Sequence, residues 1–220
     1  MGQELVEFAH ALYQRQLICG SEGNLSVRLD GDRILITPAG FNKWFLSTFD
    51  LVVCDMQGNY KSGKKDPSTE IRLHTFIYER RSDIRAVCHA HPLYATSFAV
   101  AGIPLNRPVL PEIVGTLGII PLAEYASPGT DELPQSISKY VERYDAILLK
   151  SHGVVTMGMS IMDAFNKMEA VERFAGILIN AERLGGVQCL QPKEAERLLE
   201  LAGRLDLKDQ LLYDQNQSDR

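Results

Sequence analysis

Three of the five histidines lie at the ends of two apolar segments. His89 and His91 alternate in the segment CHAHP, and His152 follows the apolar run 146–149. Alternate residues of a strand project from the same face, roughly 6–7 Å apart at the backbone, and a residue before proline favours extended backbone. Three neutral imidazole nitrogens with one open position are typical of a catalytic zinc site. The pattern therefore predicts a divalent-metal site, although a His-x-His pair alone is equally typical of two half-buried histidines.

A carboxylate and two hydroxyl groups form a second set of candidate functional residues. Glu70 ends the segment PSTE, which directly follows Asp66. Aspartate is favoured as an N-cap and proline at the first helical position, so a helix is predicted to begin here and to end near residue 80. A carboxylate in the first turn is stabilised by the helix dipole, and Ser68 and Thr69 add N–H donors where anions bind. Glu70 is thus a candidate acid or base, although helix-start electrostatics alone would also explain it.

Two further segments lie where predicted strands end. They are 23–26 (GNLS) and 37–40 (TPAG). Each is typical of a turn and can present backbone N–H donors to a ligand. His74 lies four residues after Glu70, on the same helical face, and is expected to support that carboxylate rather than to bind a metal.

The spacing of apolar residues predicts the elements that position these side chains. Helices are predicted at 3–18, 67–80, 93–101, 131–142, 161–184 and 192–204. Strands are predicted at 24–28, 33–37, 51–55, 86–91, 117–122, 146–150 and 154–157. Short hairpin-like strands mixed with helices indicate an α/β domain whose antiparallel-rich sheet is covered by helices. With no repeat or linker in the sequence, residues 1–207 are expected to form one domain and residues 208–220 a polar C-terminal tail.

Composition narrows the classes of function. The formal net charge is −5 and the basic residues are scattered, which argues against a nucleic-acid-binding surface. Four widely spaced cysteines without a CxxC pair favour free thiols in a reducing compartment, so a cytoplasmic location is expected. Residues 86–106 carry no formal charge over nearly a membrane-spanning length, but two histidines and two prolines favour a buried strand and helix instead. The glycine-rich loops of nucleotide-binding folds are absent from the sequence.

In order and spacing, five segments resemble the class II aldolase/adducin family. These segments are Gly23–Ser26, Thr37–Gly40, Pro67–Glu70, His89–His91 and His152-Gly153. The pattern continues through residues 125–130 into the long helix, so the resemblance covers most of residues 1–185. It implies a three-layer α/β/α domain with a mainly antiparallel central sheet. It also implies a homotetramer with active sites near the subunit interfaces.

The resemblance implies roles for individual residues. The family's ligands for Zn²⁺, or for a related ion such as Mn²⁺ or Co²⁺, match His89, His91 and His152. The glutamate that moves protons beside the metal matches Glu70. The residues that hold the substrate phosphate match Asn24, Gly40, Ser68 and Thr69.

Two positions depart from the family pattern. The residue before Gly40 is often a hydroxyl residue in the family, whereas this chain has Ala39. The sugar-phosphate aldolases of the family use a tyrosine acid from a neighbouring subunit, and the corresponding segment 109–112 (VLPE) has none. Glu112 is a candidate replacement proton donor and equally a structural carboxylate; Tyr213 is a second candidate.

The expected activity is reversible cleavage of a ketose 1-phosphate to dihydroxyacetone phosphate and an aldehyde, through an enediolate that the metal stabilises. Glu70 would exchange the proton at the enediolate carbon. The same metal site serves a dehydratase, an epimerase and a decarboxylase of phosphorylated sugars within the family, and the ligands do not separate them. A non-catalytic, adducin-like binding module is a further alternative, disfavoured because all three histidines and Glu70 are present.

Overall fold

In the computed structural model, which describes residues 1–213, helices cover both faces of one eight-stranded sheet. The helices are α1 (Gly2–Gln14), α2 (Ile71–Arg80), α3 (Leu93–Ala101), α4 (Pro111–Thr116), α5 (Glu132–Ser136), α6 (Ile161–Arg183) and α7 (Pro192–Leu201). The strands are β1 (Asn24–Leu29), β2 (Arg33–Ile36), β3 (Val52–Asp55), β4 (Tyr60–Ser62), β5 (Ala86–Ala90), β6 (Leu122–Ala123), β7 (Ala146–Leu149) and β8 (Gly153–Gly158).

The sheet is mixed. Its strand order is β4-β3-β2-β1-β5-β8-β7-β6, and every neighbouring pair is antiparallel except β6 and β7, which are parallel. The expectation of a mainly antiparallel sheet therefore needs this correction at one edge. The chain between β6 and β7 passes through α5, and such a helical connection returns the next strand in the same direction.

Two apolar cores hold the three layers together. On one face, α1, α3 and α6 pack on the sheet through side chains such as Leu12 and Phe174. On the other face, α2, α5 and α7 pack through side chains such as Ile77 and Leu199. Alternating residues of β5 serve both cores, since Cys88 lies in the first and Val87 in the second. A side chain at the end of β5 is therefore held between two packed layers.

Several predicted elements are confirmed. The uncharged stretch 86–106 contains β5 and α3, the hairpin of β7 and β8 is present, and the long helix spans 161–183. All four cysteines are free thiols. Among residues 1–213, no helix is long and apolar enough to span a membrane.

The predicted start of α2 is wrong by four residues. Pro67 and Ser68 remain extended, because Pro67 forms a β-bridge with Pro38 and the Ser68 N–H donates to the Thr37 carbonyl over 3.2 Å. The helix begins only at Ile71, with Glu70 as its N-cap residue. The segment that was expected to begin the helix is instead an extension of the sheet edge.

The region between α3 and β7 also differs from the prediction. The predicted strand 117–122 is a turn at Gly118, followed by one bridge between Leu105 and Ile120 and the two-residue β6. The predicted helix 131–142 is only the five-residue α5, and α4 was missed.

The C-terminal tail was predicted to begin at residue 208. That position lies inside a 3-10 helix, Leu205–Gln210, and residues 214–220 of the tail lie outside the described residues.

Candidate metal centre and active site

The central strand β5 positions the first two histidines. β5 lies between β1 and β8, and His89 is paired with Asn24 on one side and Val155 on the other. His89 is fully buried, and its Nδ1 lies 2.9 Å from the Val154 carbonyl. His91 follows directly after the strand and precedes Pro92, the N-cap residue of α3.

The turn between β7 and β8 brings in the third histidine. Ser151 has a φ of 56°, a conformation that reverses the chain within four residues. Gly153 follows His152, and a Cβ on Gly153 would lie 2.5 Å from the Ala90 carbonyl oxygen and 2.6 Å from Cδ2 of His91. Only glycine fits there, and its absent side chain allows the turn to approach His91 closely.

The three imidazoles converge on one point. Their ring centroids are 4.7–5.0 Å apart, and one nitrogen from each lies within 4.8 Å of the others. Because Nδ1 of His89 donates to a carbonyl, its Nε2 carries a lone pair, and that atom lies 3.1 Å from Nε2 of His91. Two nitrogens pointing together in this way are the arrangement that a shared cation stabilises. The donor set fits a divalent metal such as zinc.

Burial keeps these three imidazoles neutral, which is the protonation state that binds a metal. It lowers the pKa of His89, and it lowers the pKa of His91 and of His152 to about 4. The imidazoles are thus neutral near pH 7, and the neutral ring is the one that donates a lone pair to a metal.

Glu70 lies beside this cluster. Its Oε2 lies 3.2 Å from Nε2 of His89 and accepts a 2.7 Å hydrogen bond from Nδ2 of Asn24, while Oε1 lies 3.2 Å from Nε2 of His152. Burial raises the pKa of Glu70, but protonated His89 and His152 and the Asn24 N–H outweigh it and hold the pKa below its ordinary value. Where these histidines are neutral, the Asn24 N–H is the contact that still favours the carboxylate.

A cavity of about 320 Å³ opens onto the cluster. The four residues predicted to hold a phosphate all line it: Asn24, Gly40, Ser68 and Thr69. Its wall also includes Glu70, His91 and His152. The structure therefore brings the predicted phosphate-binding residues, the carboxylate and two of the predicted metal ligands to one cavity.

Three of the four residues predicted to hold a phosphate lie on two loops, which the bridge between Pro38 and Pro67 brings together. Gly40 has a φ of 60° at the turn after β2, and the Ala39 N–H donates to the Asp66 carbonyl over 3.0 Å. Ser68 is buried, and its Oγ accepts the Glu70 N–H over 3.3 Å. Thr69 is exposed and lies next to Gly129, where an added Cβ would be 3.6 Å from Cβ of Thr69.

The family of this chain is decided by its match to known proteins. The model for the class II aldolase and adducin N-terminal domain matches residues 3–179. The chain belongs to the class II aldolase/adducin family. An L-fuculose phosphate aldolase of Methanococcus maripaludis is 37% identical over 172 residues, which is 78% of this chain and 92% of that protein. A 3-oxo-tetronate 4-phosphate decarboxylase of Haemophilus influenzae is 33% identical over 182 residues, 81% of this chain and 86% of that protein.

Solved structures agree with this assignment. The structure of an L-fuculose 1-phosphate aldolase matches with a TM-score of 0.84 at 35% identity, covering 90% of this chain and 94% of that one. The class II aldolase/adducin fold thus extends over nearly the whole chain.

Two candidate proton donors are not brought to this cavity within the chain. Glu112 is exposed in the first turn of α4, and Tyr213 is half-buried near Cys189 at the end of the described residues. Neither lines the cavity around Glu70.

Lys43 is a cavity residue that the sequence reasoning missed. Its side chain is buried, and Nζ donates to the carbonyls of Ser21 and Phe41 over 2.8 and 2.9 Å. Burial lowers the pKa of Lys43 to about 8, against the charge of Glu70, which favours the ammonium form. A single lysine in a sequence is typical of an exposed surface position, so residue type did not indicate a buried Lys43. The one indication in the sequence was that Lys43 lies close to the segment 37–40 (TPAG).

Proposed function

We propose that this chain is a divalent-metal-dependent aldolase that reversibly cleaves a ketose 1-phosphate to dihydroxyacetone phosphate and an aldehyde. The observation that carries the proposal is the convergence of His89, His91 and His152 beside Glu70 in one cavity. The relatives named L-fuculose phosphate aldolase support a fuculose-phosphate-like substrate.

The three histidines would hold Zn²⁺, Mn²⁺ or Co²⁺. When bound, such an ion acts as a Lewis acid toward the oxygens on which negative charge develops as the bond between C3 and C4 breaks. The protein's contribution at this point is to keep the imidazoles neutral and fixed. His89 is oriented by the Val154 carbonyl, and the turn at Gly153 sets the distance between His91 and His152.

Glu70 would move the proton at C3. In the cleavage direction it delivers a proton to the carbon left by the departing aldehyde, and in the synthetic direction it removes that proton. Oε1 is suited to this step, since it accepts no hydrogen bond from residues 1–213, whereas Oε2 is held by Asn24. The hydroxyl proton at C4 needs a second group, for which Glu112 or Tyr213 of a neighbouring subunit is the candidate.

The substrate phosphate would bind at the mouth of the cavity. Gly40, Ser68 and Thr69 offer backbone and hydroxyl donors there, Asn24 one further amide N–H, and Lys43 a buried positive charge nearby. Backbone and side-chain donors of this kind bind a phosphate without a cluster of basic residues, which agrees with the net negative charge of the chain.

A homotetramer in the cytoplasm is part of this proposal. Exposed aromatic and aliphatic side chains lie next to the cavity, where Trp44, Leu93 and His91 line an adjoining groove of about 610 Å³. An exposed apolar surface beside an active site suits a subunit interface. A tetramer would bring Glu112 or Tyr213 of one subunit toward the cavity of another.

Decarboxylation of a phosphorylated sugar acid is the second candidate. It is supported by the 33% identity to the Haemophilus influenzae decarboxylase and by Glu112 in a segment that lacks tyrosine. Loss of CO₂ leaves the same kind of carbanion for Glu70 to protonate, so the metal ligands do not distinguish the two reactions.

A turnover assay with zinc-loaded protein tests the proposal. A panel of ketose 1-phosphates is offered, and dihydroxyacetone phosphate is detected by a coupled enzyme. Release that stops with a chelator and returns with zinc supports the aldolase. Release of CO₂ from 3-oxo-sugar-acid phosphates, with no dihydroxyacetone phosphate from the panel, would replace it by the decarboxylase.

A further inference from the structure

A continuous line of buried hydrogen bonds runs from the core to Glu70. Oη of Tyr78 lies 2.8 Å from Oγ of Ser26, which lies 2.7 Å from Nδ1 of His74. Nε2 of His74 lies 2.5 Å from Oδ1 of Asn24, whose Nδ2 lies 2.7 Å from Oε2 of Glu70. Four consecutive contacts of this length leave no gap in the line.

The direction of each hydrogen bond follows from the one at Glu70. A carboxylate only accepts, so Asn24 presents its N–H to Oε2 and its Oδ1 to His74. Nε2 of His74 must then carry the proton, and Nδ1 accepts from Ser26. The Ser26 hydroxyl in turn accepts from Tyr78. Every donor in the line points toward Glu70.

The surrounding elements hold this line in place. Asn24 and Ser26 alternate on β1, and His74 and Tyr78 lie one turn apart on α2, so the two elements face each other through these side chains. All four side chains are at most 4% exposed. Burial also lowers the pKa of His74 to about 3 and raises the pKa of Tyr78, so the imidazole stays neutral and the phenol keeps its proton.

We propose that His74 is a positioning residue whose Nε2–H fixes the Asn24 amide, so that Asn24 donates to Oε2 of Glu70 and leaves Oε1 to exchange the proton with the substrate. The inference deepens the proposed function, on which the catalytic role of Glu70 rests. The line makes the two carboxylate oxygens unequal, because Oε2 accepts the Asn24 N–H while Oε1 accepts no hydrogen bond within residues 1–213.

The line also changes what Asn24 can do. Its carbonyl is used by His74, and one of its two amide hydrogens is used by Glu70. A single N–H remains for a phosphate. Asn24 therefore acts first on Glu70, and Gly40, Ser68 and Thr69 carry most of the phosphate contacts.

Loss of the His74 donor should release the Asn24 amide. In His74→Leu no N–H holds Oδ1 of Asn24, so the amide is free to rotate and its N–H is no longer fixed toward Oε2 of Glu70. In His74→Gln an amide N–H takes the place of Nε2–H and keeps Asn24 in its present orientation. The two variants thus separate the hydrogen bond from the mere presence of a side chain.

The test is a ¹H–¹⁵N NMR measurement of the Asn24 side-chain amide in the zinc-loaded full chain at constant pH, with the signals assigned by their loss in Asn24→Asp. In the wild type we expect the two amide protons to differ in chemical shift, because one of them is hydrogen-bonded to Glu70. In His74→Leu this difference should shrink, and in His74→Gln it should stay near the wild-type value. The control is His10→Leu, which removes a histidine of α1 whose Nε2 lies 2.9 Å from the Leu46 carbonyl and should leave the Asn24 signals unchanged.

Ser26→Ala provides a second variant that removes only one oxygen atom. It frees Nδ1 of His74 from its partner and should reduce the shift difference of the Asn24 amide protons by a smaller amount. If His74→Leu does not fold, Ser26→Ala and His74→Gln carry the test. Asn24 amide signals that are the same in the wild type and in every folded variant of His74→Leu and Ser26→Ala would overturn the proposal.

The NMR measurement needs no turnover, so its result is independent of the assay for the reaction. Changed Asn24 amide signals in His74→Leu without release of dihydroxyacetone phosphate would leave the positioning role standing and reject the aldolase. Metal-dependent release with unchanged Asn24 signals would support the aldolase and reject the positioning role.

Discussion

Oε1 of Glu70 lies 3.2 Å from Nε2 of His152 and accepts no hydrogen bond within residues 1–213. The carboxylate is therefore close enough to the predicted metal ligands to act on a substrate bound there. Its other oxygen is occupied by Asn24. A glutamate with one hydrogen-bonded oxygen keeps its orientation, while its other oxygen is available to exchange a proton with a substrate.

Replacing Glu70 by glutamine should abolish most turnover without releasing the metal. The amide cannot exchange a proton, and general acid–base groups contribute roughly 10²- to 10⁴-fold to rates. We expect kcat to fall by that factor while the zinc content stays at the wild-type level, both measured on the same preparation. Glu124→Gln is the matched control, because Glu124 is exposed and pairs with Lys150 at 3.4 Å. A near-normal rate in Glu70→Gln would remove this residue from the mechanism.

The candidate site was more predictable from the sequence than the exact helix starts. His89 and His91 were placed by alternation in a predicted strand, and His152 by the end of the apolar run 146–149, because these are local rules of backbone geometry. The start of α2 was wrong because the bridge from Pro67 to Pro38 is a contact between distant residues. Such a contact overrides the N-cap preference of Asp66, and a local pattern does not contain it.

Buried polar residues set a second limit on prediction from sequence. Lys43 was missed because nothing in its neighbours signals that two carbonyls, of Ser21 and Phe41, receive its ammonium group. His74 was expected to support Glu70, but its hydrogen bond goes to Asn24, which in turn donates to Glu70. The partner of a buried polar group is fixed by tertiary packing, so residue type alone leaves it open.

Removal of one imidazole should weaken metal binding more than it weakens the fold. His152→Ala takes away one of three ligands at a turn, while His89 and His91 remain on and beside the central strand. Loss of a residue that only hydrogen-bonds to a metal ligand weakens metal binding by roughly 10- to 100-fold. We expect the loss of a ligand itself to lower zinc affinity by more than this. Isothermal titration of the metal-free protein measures it, with His10→Ala as control. Unchanged affinity would exclude His152 as a ligand.

Adding a hydroxyl before Gly40 should improve phosphate binding. Ala39 lines the cavity, and its N–H is already used by the Asp66 carbonyl, so the position offers a phosphate no donor of its own. In Ala39→Ser, one hydrogen bond to a charged group should lower KM by about tenfold at unchanged kcat, since about 1.4 kcal/mol is a factor of ten. Thr69→Val should change KM in the opposite direction. If Ala39→Ser leaves both KM and inhibition by inorganic phosphate unaltered, the phosphate lies elsewhere.

Replacing Lys43 by methionine should destabilise the folded protein at the cavity. The carbonyls of Ser21 and Phe41 would lose their donor inside the protein, at a cost of roughly 1–3 kcal/mol for each unsatisfied group. We expect a lower midpoint in urea unfolding together with weaker binding of inorganic phosphate. Lys61→Met is the control, because Lys61 is half-exposed and pairs with Asp55 at the far edge of the sheet. Equal stability of the two variants would contradict the buried position of the ammonium.

The metal-free protein should lose stability as the pH falls below about 6.5, and His74 should account for a measurable part of the loss. Burial lowers the pKa of His74 to about 3 in the folded chain, whereas an unfolded histidine titrates near 6.5. The unfolded state therefore binds the extra proton first. The stabilising contribution is complete above pH 6.5 and is lost as the pH falls toward 3.

Urea unfolding of wild type and His74→Gln, with chelator present, measures this contribution. Between pH 7 and pH 5 the free energy of unfolding of the wild type should fall by about 2 kcal/mol more than that of His74→Gln, because glutamine does not titrate. Between pH 7.5 and pH 8.5 the two curves should run in parallel, which is the internal control. Equal losses on the acid side would mean that His74 takes up a proton in the folded protein as readily as in the unfolded one. Its Nδ1 could then no longer be accepting from Ser26, and the direction of the line to Glu70 would have to be reassigned.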